Sequence, residues 1–244
     1  MIRLFFLLFG ILAYAIFLLA FLYLVGFVAN YAALPHTIDR GPFHPWVFAL
    51  LVDVGLIALF GIQHSVMARQ GFKRGWIRIV PAAIERSVYL VATSVVLALV
   101  FWLWLPIPLP IWNVATPIGF WLLTGLSLLG WAIVLVSTYL INHFELFGLQ
   151  QVWLNVTNKA PAAPRLRTPL FYKLVRHPLY TGFLIAFWAT PAMTVGHLLF
   201  AAGMTAYILI GVHFEERDLG DFFGEDYARY QSEVGMVVPG LGKR

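Results

Sequence analysis

The chain has 244 residues, of which 61% are hydrophobic and only 11% are charged, and its mean hydropathy is +0.84. This composition excludes a soluble domain and is typical of a polytopic membrane protein. The absence of cysteine excludes disulfides, thiolate metal sites and a cysteine nucleophile. The net charge of +5 does not indicate a nucleic-acid partner, because basic residues of a membrane protein are interpreted by their position between spans.

Six apolar segments follow one another along the chain, and we predict that each forms a membrane-spanning helix. They cover residues 4–31, 46–64, 87–105, 117–141, 179–193 and 197–213. The first segment is about twice as long as the core of a signal peptide and no clean cleavage site follows it, so we interpret it as a retained helix. The last two segments are joined by only residues 194–196 and predict a short helical hairpin.

The basic residues are distributed unevenly between the predicted loops. Fifteen of the sixteen Lys and Arg residues lie at the amino terminus, in residues 69–86 and 159–176, or from Arg217 onward. By the positive-inside rule, both termini and both long loops are cytoplasmic. From Glu215, an apolar stripe at helical spacing predicts an amphipathic helix along the cytoplasmic surface, interrupted near Gly224.

The predicted fold class is therefore all-α, a polytopic helical membrane protein with about six spans, a short carboxy-terminal hairpin and an amphipathic tail helix. Residues 1–244 are expected to form a single membrane domain. Within it, residues 1–141 form a four-span bundle and residues 142–244 form a cofactor-binding region. The predicted location is the bacterial inner membrane, with both termini in the cytoplasm.

Polar side chains accumulate at the predicted cytoplasmic helix ends. The stretch RHPLYTG, residues 176–182, opens the hairpin, and a helix out and a helix back would return Glu215 and Glu216 beside Arg176 and His177. A second interpretation remains open, in which Arg176 only snorkels and Tyr180 belongs to the aromatic belt. Asp53 is the one acid deep inside a span, but it is nearer the outer side and is left out of the site.

Such a cluster suits a ligand that is both zwitterionic and cationic. Arg176 and the amides at a helix amino terminus can bind a carboxylate, and the two glutamates can bind an ammonium group or a ribose. Tyr180 can contact a flat base or a sulfonium by a cation–π interaction. S-adenosylmethionine has all of these groups. No GxGxxG motif follows a strand, so the membrane helices themselves would have to bind this co-substrate.

Two groups of motifs carry a resemblance to a known family. RHPLYTG followed by HFEERDLGDFFGEDYARYQSEVGMVVP resembles the carboxy-terminal region of the integral-membrane isoprenylcysteine carboxyl methyltransferase superfamily, whose pattern is RHPxYxG, a hairpin, EExxL and FGxxYxxY. The stretches GIQHSVMAR, IERSVYL and NHFELFGLQQVW resemble the methanethiol S-methyltransferase branch, which is related to the NnrU proteins. The resemblance implies methyl transfer from S-adenosylmethionine to methanethiol, giving dimethyl sulfide and S-adenosylhomocysteine.

The resemblance also implies which residues bind the co-substrate. The family positions fall on His177, Pro178, Tyr180, Gly182, Glu215, Glu216 and Leu219. Arg176 is also predicted to bind the co-substrate, because it lies in the predicted pocket. Asn142 and Glu145 lie in NHFELFGLQQVW, a segment that can fold over the pocket, although an interfacial helix that only floats at the headgroups would have the same pattern.

A base or a nearby cation would help to form the thiolate, which is the reactive form of a thiol. His64, His143, Arg69 and Arg86 lie at the predicted cytoplasmic depth, and His64, His143 and Arg69 are taken as the candidates. Arg69 also fits plain topology signalling, and the two histidines also fit helix capping. No metal, nucleic acid or protein partner is predicted; the expected partners are a small thiol and the lipid bilayer.

Other functions remain open at this point. Four histidines at cytoplasmic helix ends, together with the NnrU resemblance, permit a haem-binding or metal-binding membrane protein. A methyltransferase that acts on a lipid or on a prenyl-cysteine carboxylate is a further alternative. A transporter is disfavoured because the spans lack paired broken helices and midplane charges.

Overall fold

The computed structural model describes residues 1–163 and 165–243 of the chain. Its helices, in chain order, are α1 (Ile2–Val28), α2 (Trp46–Ala68), α3 (Gln70–Trp76), α4 (Glu85–Leu103), α5 (Pro117–Ile141), α6 (His143–Leu146), α7 (Leu149–Thr157), α8 (Pro178–Trp188), α9 (Val195–Phe223) and α10 (Glu225–Glu233). A single 3₁₀ turn, Leu170–Lys173, precedes α8. Two short strands, β1 (Pro110–Asn113) and β2 (Ala192–Thr194), complete the described structure.

The helices group into two compact units. The first consists of Met1–Pro108 and His143–Ala163, and the second of Leu109–Asn142 and residues 165–243. By packing, α5 therefore belongs with the carboxy-terminal helices. The division into a four-span bundle of residues 1–141 and a cofactor-binding region of residues 142–244 remains a prediction.

Five helices are long and apolar enough to cross a membrane: α1, α2, α4, α5 and α9, with 19 to 29 residues each. A crossing needs about 20 apolar residues. These helices confirm the prediction of a polytopic helical protein, and the chain is an integral membrane protein.

The fifth predicted span, residues 179–193, differs from the prediction. It forms α8, which has 11 residues and is therefore only about 16 Å long at 1.5 Å per residue. The helix ends at Trp188, shortly before Pro191, which can neither donate a backbone N–H nor continue a helix. The residues after Pro191 form β2 instead, so α8 is too short to cross a bilayer by itself.

The tip of the predicted hairpin forms a small sheet that the all-α prediction did not contain. β2 pairs antiparallel with β1, with Trp112 opposite Met193 and Asn113 opposite Ala192. The backbone N–H of Val195 then donates to the carbonyl of Leu109 at 2.8 Å. Strands of four and three residues are too short to show an alternating pattern in the sequence.

The tail helix also starts later than predicted. α9 continues without a break from Val195 to Phe223, so Glu215 lies within a long helix rather than at the start of a surface helix. The predicted interruption at Gly224 is confirmed: this residue has φ +57°, a conformation that favours glycine. The amphipathic helix of the tail is α10.

In the second unit, α5 and α8 cross at two glycines. A Cβ atom added to Gly182 would lie 2.7 Å from the carbonyl oxygen of Gly130, and one added to Gly130 would lie 2.6 Å from the backbone nitrogen of Ala186. Small residues allow membrane helices to approach this closely. The glycine of the RHPLYTG motif therefore has a packing role that fixes α8 against α5.

In the first unit, Asp53 of α2 is fully buried and caps the end of a neighbouring helix. Its Oδ1 accepts the backbone N–H of Leu105 at 2.9 Å, just beyond the end of α4. The amide at this point is no longer part of the helix and needs an acceptor. A structural role is therefore visible for the acid that lies deepest in a predicted span.

Candidate active site

Residues 176–182 of the second unit shape the start of α8. His177 is the N-cap residue and Pro178 occupies the first turn, where its missing N–H costs no hydrogen bond. Pro178 is buried, and the N–H of Thr181 donates to the carbonyl of His177 at 3.0 Å. The motif thereby places Arg176 and His177 just ahead of the helix, with Tyr180 in its first turn.

A buried ion pair lies at the centre of this cluster. Arg176 Nη2 is 2.6 Å from Glu216 Oε1, and the two side chains are 0% and 2% exposed. The Nε of Arg176 donates to the same oxygen at 2.8 Å, and His177 Nε2 lies 3.3 Å from it. Gln231 of α10 donates to the other carboxylate oxygen of Glu216 at 3.3 Å. Both oxygens of Glu216 are therefore engaged with protein groups.

The remaining donors of Arg176 hold the carboxy-terminal segment. Its Nη1 donates to the carbonyls of Gln231, at 3.1 Å, and of Val234. Its Nη2 donates to the carbonyl of Gly242 at 3.0 Å. A guanidinium has five N–H groups, and Arg176 uses all of them within the protein. In this arrangement Arg176 has no N–H left for the predicted contact with a ligand carboxylate. The geometry therefore favours a role in which Arg176 positions Glu216 and the carboxy-terminal segment.

We call residues 234–242 the carboxy-terminal hook, because they turn back onto the start of α8. The backbone N–H groups of Arg176 and His177 donate to the carbonyls of Gly235 and Met236, at 2.8 and 3.1 Å. The hydroxyl of Thr181 donates to the carbonyl of Val237 at 2.7 Å. These two amides are thus paired with the hook, although the sequence had suggested that amides at this helix start would bind the ligand.

The partly exposed part of the cluster consists of Glu215 and Tyr180, which lie next to the buried His177. The side chain of Glu215 is 45% exposed, and its Oε2 lies 3.8 Å from His177 Nδ1. The hydroxyl of Tyr180 donates to the same oxygen at 2.9 Å, and the rings of His177 and Tyr180 are 5.6 Å apart. Leu219 is one turn further along α9 and is half-buried. A partly exposed carboxylate and a partly exposed aromatic ring therefore lie together, next to a buried imidazole.

Three tyrosines that were not assigned from the sequence interact electrostatically with the charged groups of this cluster. Burial raises the pKa of Tyr172, and the negative charge of Glu215 raises it further. Burial also raises the pKa of Tyr227, with a further increase from Glu216, and burial raises that of Tyr230 to about 12. All three are thus neutral at physiological pH.

One of these tyrosines helps to brace the cluster. The hydroxyl of Tyr230 donates to the backbone carbonyl of Tyr172. Tyr227 and Tyr230 share one face of α10, and their three-residue spacing in FGEDYARY was the available sequence signal. Tyr172 lies in the 3₁₀ turn before α8, where periodicity gives no signal.

His64 and Arg69 lie in the first unit. The Nδ1 of His64 is 3.3 Å from the hydroxyl of Thr93. The ring of His64 stacks on Phe60 at 5.2 Å and lies 5.1 Å from the ring of Tyr89. Arg69 is the residue between α2 and α3, where the backbone turns out of the helical conformation. His64 is therefore held among aromatic rings at the end of α2.

His143 is also in the first unit and is buried. Its Nε2 lies 2.8 Å from the hydroxyl of Tyr14, and its ring is 4.8 Å from that of Phe147. Burial lowers the pKa of His143, which favours the neutral imidazole. Tyr14 was not singled out in the sequence because it is one tyrosine within a long apolar span.

The two residues predicted from NHFELFGLQQVW belong to different units. Asn142 ends α5 in the second unit, and its backbone N–H donates to the carbonyl of Thr138 at 3.2 Å. Glu145 lies in α6 of the first unit, where its carbonyl accepts a hydrogen bond from Gln151 at 3.0 Å. Their predicted role in binding the co-substrate remains a prediction.

Fold and site together define an integral membrane protein whose carboxylate, imidazole and tyrosine groups meet at the start of a short helix. The chain is 55% identical over 233 residues to a methanethiol S-methyltransferase of Pseudomonas sp.. The aligned region covers 96% of this chain and 89% of that protein. It is 49% identical over 231 residues to a methanethiol S-methyltransferase of Mycobacterium tuberculosis, covering 95% and 94%. The chain therefore belongs to the methanethiol S-methyltransferase family.

A more distant similarity links the chain to Nurim of Xenopus laevis, at 28% identity over 200 residues, or 77% of this chain and 66% of that protein. No family model matches the chain. No solved structure matches it significantly. The family membership confirms the resemblance found in the sequence motifs and confirms that the protein is a methyltransferase enzyme.

Proposed function

We propose that this protein transfers the methyl group of S-adenosylmethionine to methanethiol, giving dimethyl sulfide and S-adenosylhomocysteine. The observation that carries the proposal is the partly exposed pair of Glu215 and Tyr180, which lies next to the buried His177 and the buried ion pair of Arg176 and Glu216. The name shared by the relatives in Pseudomonas and Mycobacterium tuberculosis supports the choice of acceptor.

The accessible residues have suitable chemistry for the methyl donor. The carboxylate of Glu215 suits the ammonium group or the ribose hydroxyls, and the ring of Tyr180 suits the sulfonium. His177 Nδ1 adds a polar atom on the same side of Glu215. Pro178 and Gly182 contribute through the position of α8, and Leu219 contributes an apolar surface one turn beyond Glu215.

The reaction is a displacement at carbon. The thiolate sulfur forms a bond to the methyl carbon while the bond between that carbon and the sulfonium sulfur breaks, and the electron pair stays with the departing sulfur. The proton of the thiol is lost to a base before or during this step. Alignment of the two sulfur atoms and exclusion of water supply several kcal/mol of the barrier reduction, roughly 7 to 11 in favourable intramolecular cases.

Proton removal is the second part of the proposal. A thiol such as free cysteine has a pKa of about 8.5, so most of it is protonated at neutral pH. We assign this role to His143 or His64, with Arg69 as a cation that favours the thiolate. Burial lowers the pKa of His143 and keeps its imidazole in the neutral form, which is the form that accepts a proton, while it also makes the imidazole a weaker base. The bond to Tyr14 fixes the orientation of its ring.

The proposal is tested with membranes that contain the protein, S-adenosylmethionine labelled in the methyl group, and a panel of thiols. We expect labelled dimethyl sulfide in the headspace when methanethiol is supplied, and less than a tenth of that rate in Glu215→Gln. If the label appeared only in lipid, or only in a base-labile carboxyl ester, the proposal would be wrong. The protein would then methylate a lipid or a prenyl-cysteine carboxylate.

The assignment of a base is tested by the pH dependence of the rate. In His64→Ala or His143→Ala, activity should rise with pH more steeply than in the wild type, because the variant depends on thiolate formed in solution. Binding of S-adenosylhomocysteine should be nearly unchanged. If both variants had wild-type rates and an unchanged pH profile, neither histidine would be the base. Alignment and desolvation alone would then account for the rate.

The site is proposed to face the cytoplasm, where S-adenosylmethionine is present. The unequal distribution of Lys and Arg between loops supports this orientation. A reporter enzyme that works only in the cytoplasm should be active when it is fused to the carboxy terminus, and a reporter that works only outside the membrane should be inactive there. The opposite result would reverse the orientation.

A further inference from the structure

The side chain of Tyr227 has a buried hydroxyl without a partner. Tyr227 lies on α10 and is 1% exposed. Its Oη is shielded from solvent and has no hydrogen-bond partner within residues 1–163 and 165–243. Buried hydroxyls in native proteins nearly always have a partner, and an exception requires an explanation such as a water or a ligand that completes the site.

The charged groups that surround this hydroxyl are already paired with one another. The electrostatic neighbours of Tyr227 are Glu216, Arg176, Glu215 and Tyr230. Arg176 uses all five N–H groups, and both oxygens of Glu216 accept hydrogen bonds. The hydroxyl of Tyr230 is bonded to the carbonyl of Tyr172. Within this cluster, Tyr227 thus retains a donor that protein contacts do not use.

The charge of the cluster restricts the kind of group that can accept this hydrogen bond. The guanidinium of Arg176 is paired with Glu216, and Glu215 adds a second carboxyl group beside His177. An anionic acceptor such as a carboxylate would be repelled. A neutral hydroxyl is compatible with this environment, because it can accept from Tyr227 and donate to a carboxylate oxygen in the same cluster.

We propose that Tyr227 Oη donates a hydrogen bond to a ribose hydroxyl of the bound nucleoside co-substrate. This inference rests on the proposed function, since it requires S-adenosylmethionine or its product at the cluster. Tyr227 then complements Glu215, which accepts hydrogen bonds and therefore binds the donor side of the same diol. The pair recognises a sugar rather than the amino-acid end of the ligand.

The experiment measures binding of S-adenosylhomocysteine and of its 2′-deoxy and 3′-deoxy analogues by calorimetry in nanodiscs. The full-length protein is compared with Tyr227→Phe and with Tyr230→Phe. We expect Tyr227→Phe to bind S-adenosylhomocysteine about five to ten times more weakly, the range for one lost hydrogen bond. One of the two deoxy analogues should bind the wild type more weakly than S-adenosylhomocysteine does, by a similar factor. Tyr227→Phe should not lower the affinity for that analogue any further.

Tyr230→Phe is the matched control, because it removes a hydroxyl from the same helix that already has a protein partner. It should lower the unfolding temperature while leaving the preference for S-adenosylhomocysteine over its deoxy analogues unchanged. Tyr227→Phe should leave the unfolding temperature of the ligand-free protein unchanged or raise it, because the hydroxyl that it removes is unpaired.

Several results would overturn the inference. Unchanged affinity in Tyr227→Phe would mean that water satisfies the hydroxyl, and equal losses for all three ligands would remove the ribose assignment. If the wild type bound both deoxy analogues as tightly as S-adenosylhomocysteine, this result alone would overturn the inference. A wild type that does not bind S-adenosylhomocysteine at all would instead refute the proposed function.

Discussion

Arg176 and Glu216 form an ion pair in which Nη2 lies 2.6 Å from Oε1 and neither side chain reaches solvent. Glu215 is the next residue in the sequence, yet its side chain is 45% exposed. Consecutive residues of a helix point in different directions, so α9 turns one glutamate into the cluster and the other toward its opening. The two acids of the EE motif therefore lie in different environments, and the proposed functions follow from this: Glu216 supports the cluster and Glu215 contacts the ligand.

Substitution of the two glutamates should separate these functions. Glu216→Ala leaves Arg176 buried and unpaired, which typically costs about 3 to 5 kcal/mol. We expect a large fall in the thermal unfolding temperature. Glu215→Gln should change stability by at most about 0.5 kcal/mol, as for most exposed positions, while weakening the binding of S-adenosylhomocysteine. Equal loss of stability in both variants would contradict the division of functions.

The glycine contact between α5 and α8 gives a second prediction. Alanine usually stabilises a helix relative to glycine by about 1 kcal/mol, but a Cβ at Gly130 would lie 2.6 Å from the backbone of Ala186. Gly130→Ala should therefore destabilise the protein by about 1 to 3 kcal/mol, the usual cost of overpacking. Thermal unfolding in detergent measures this change.

Gly125 provides the matched control, because it lies on the same helix with no atom within 4 Å of an added Cβ. Gly125→Ala should be neutral or stabilising. If Gly130→Ala behaved in the same way, the close approach of the two helices would be wrong. Since Gly182 faces Gly130 across this contact, its substitution should also act through packing before it acts on a ligand.

Much of the fold could be predicted because the length of an apolar segment determines whether it can cross a bilayer. Predicted span 117–141 coincides with α5, where Thr116 and Pro117 start the helix and Asn142 ends it. Span 179–193 was predicted too long, because hydropathy does not show that the residues after Pro191 pair with β1. The strand pairing depends on residues about eighty positions apart in the sequence, which no local pattern reveals.

The sequence predicted that some residues of the candidate site lie together, but it did not predict how they are bonded. Motif spacing placed Arg176, His177 and Glu216 together, since a hairpin must return its second helix beside its first. The sequence did not show that Arg176 would be fully used by carbonyl groups of the carboxy-terminal hook. Backbone carbonyls are present at every residue, so a segment that binds through them has no recognisable side-chain pattern.

His143 gives a prediction for stability as a function of pH. Burial lowers its pKa below the usual value of about 6.5 in the folded protein. The unfolded chain therefore takes up a proton as the pH falls below about 6.5, whereas the folded protein resists it. The contribution of His143 is fully present above that pH and is lost as the pH falls through the lowered value, by up to about 1.4 kcal/mol per pH unit.

Thermal unfolding between about pH 8 and pH 5 measures this effect. His143→Gln should unfold at a temperature that depends less on pH than that of the wild type. His44→Gln, at an exposed position, is the control and should retain the wild-type slope. A slope that survives in His143→Gln would assign the acid sensitivity to another group.

The last prediction concerns Asp53, where a buried acid could serve either function or structure. Its Oδ1 accepts the N–H of Leu105 at 2.9 Å, and its Oδ2 is buried without a partner in the described part of the chain. Asp53→Asn keeps an acceptor for Leu105 and removes a charge that is costly to bury, so stability should be unchanged or increased. Asp53→Leu leaves the Leu105 amide unpaired and should cost about 1 to 3 kcal/mol. Methyl transfer by Asp53→Asn at wild-type rates would establish a capping role, whereas a stable Asp53→Asn variant without activity would show that the charge itself is required.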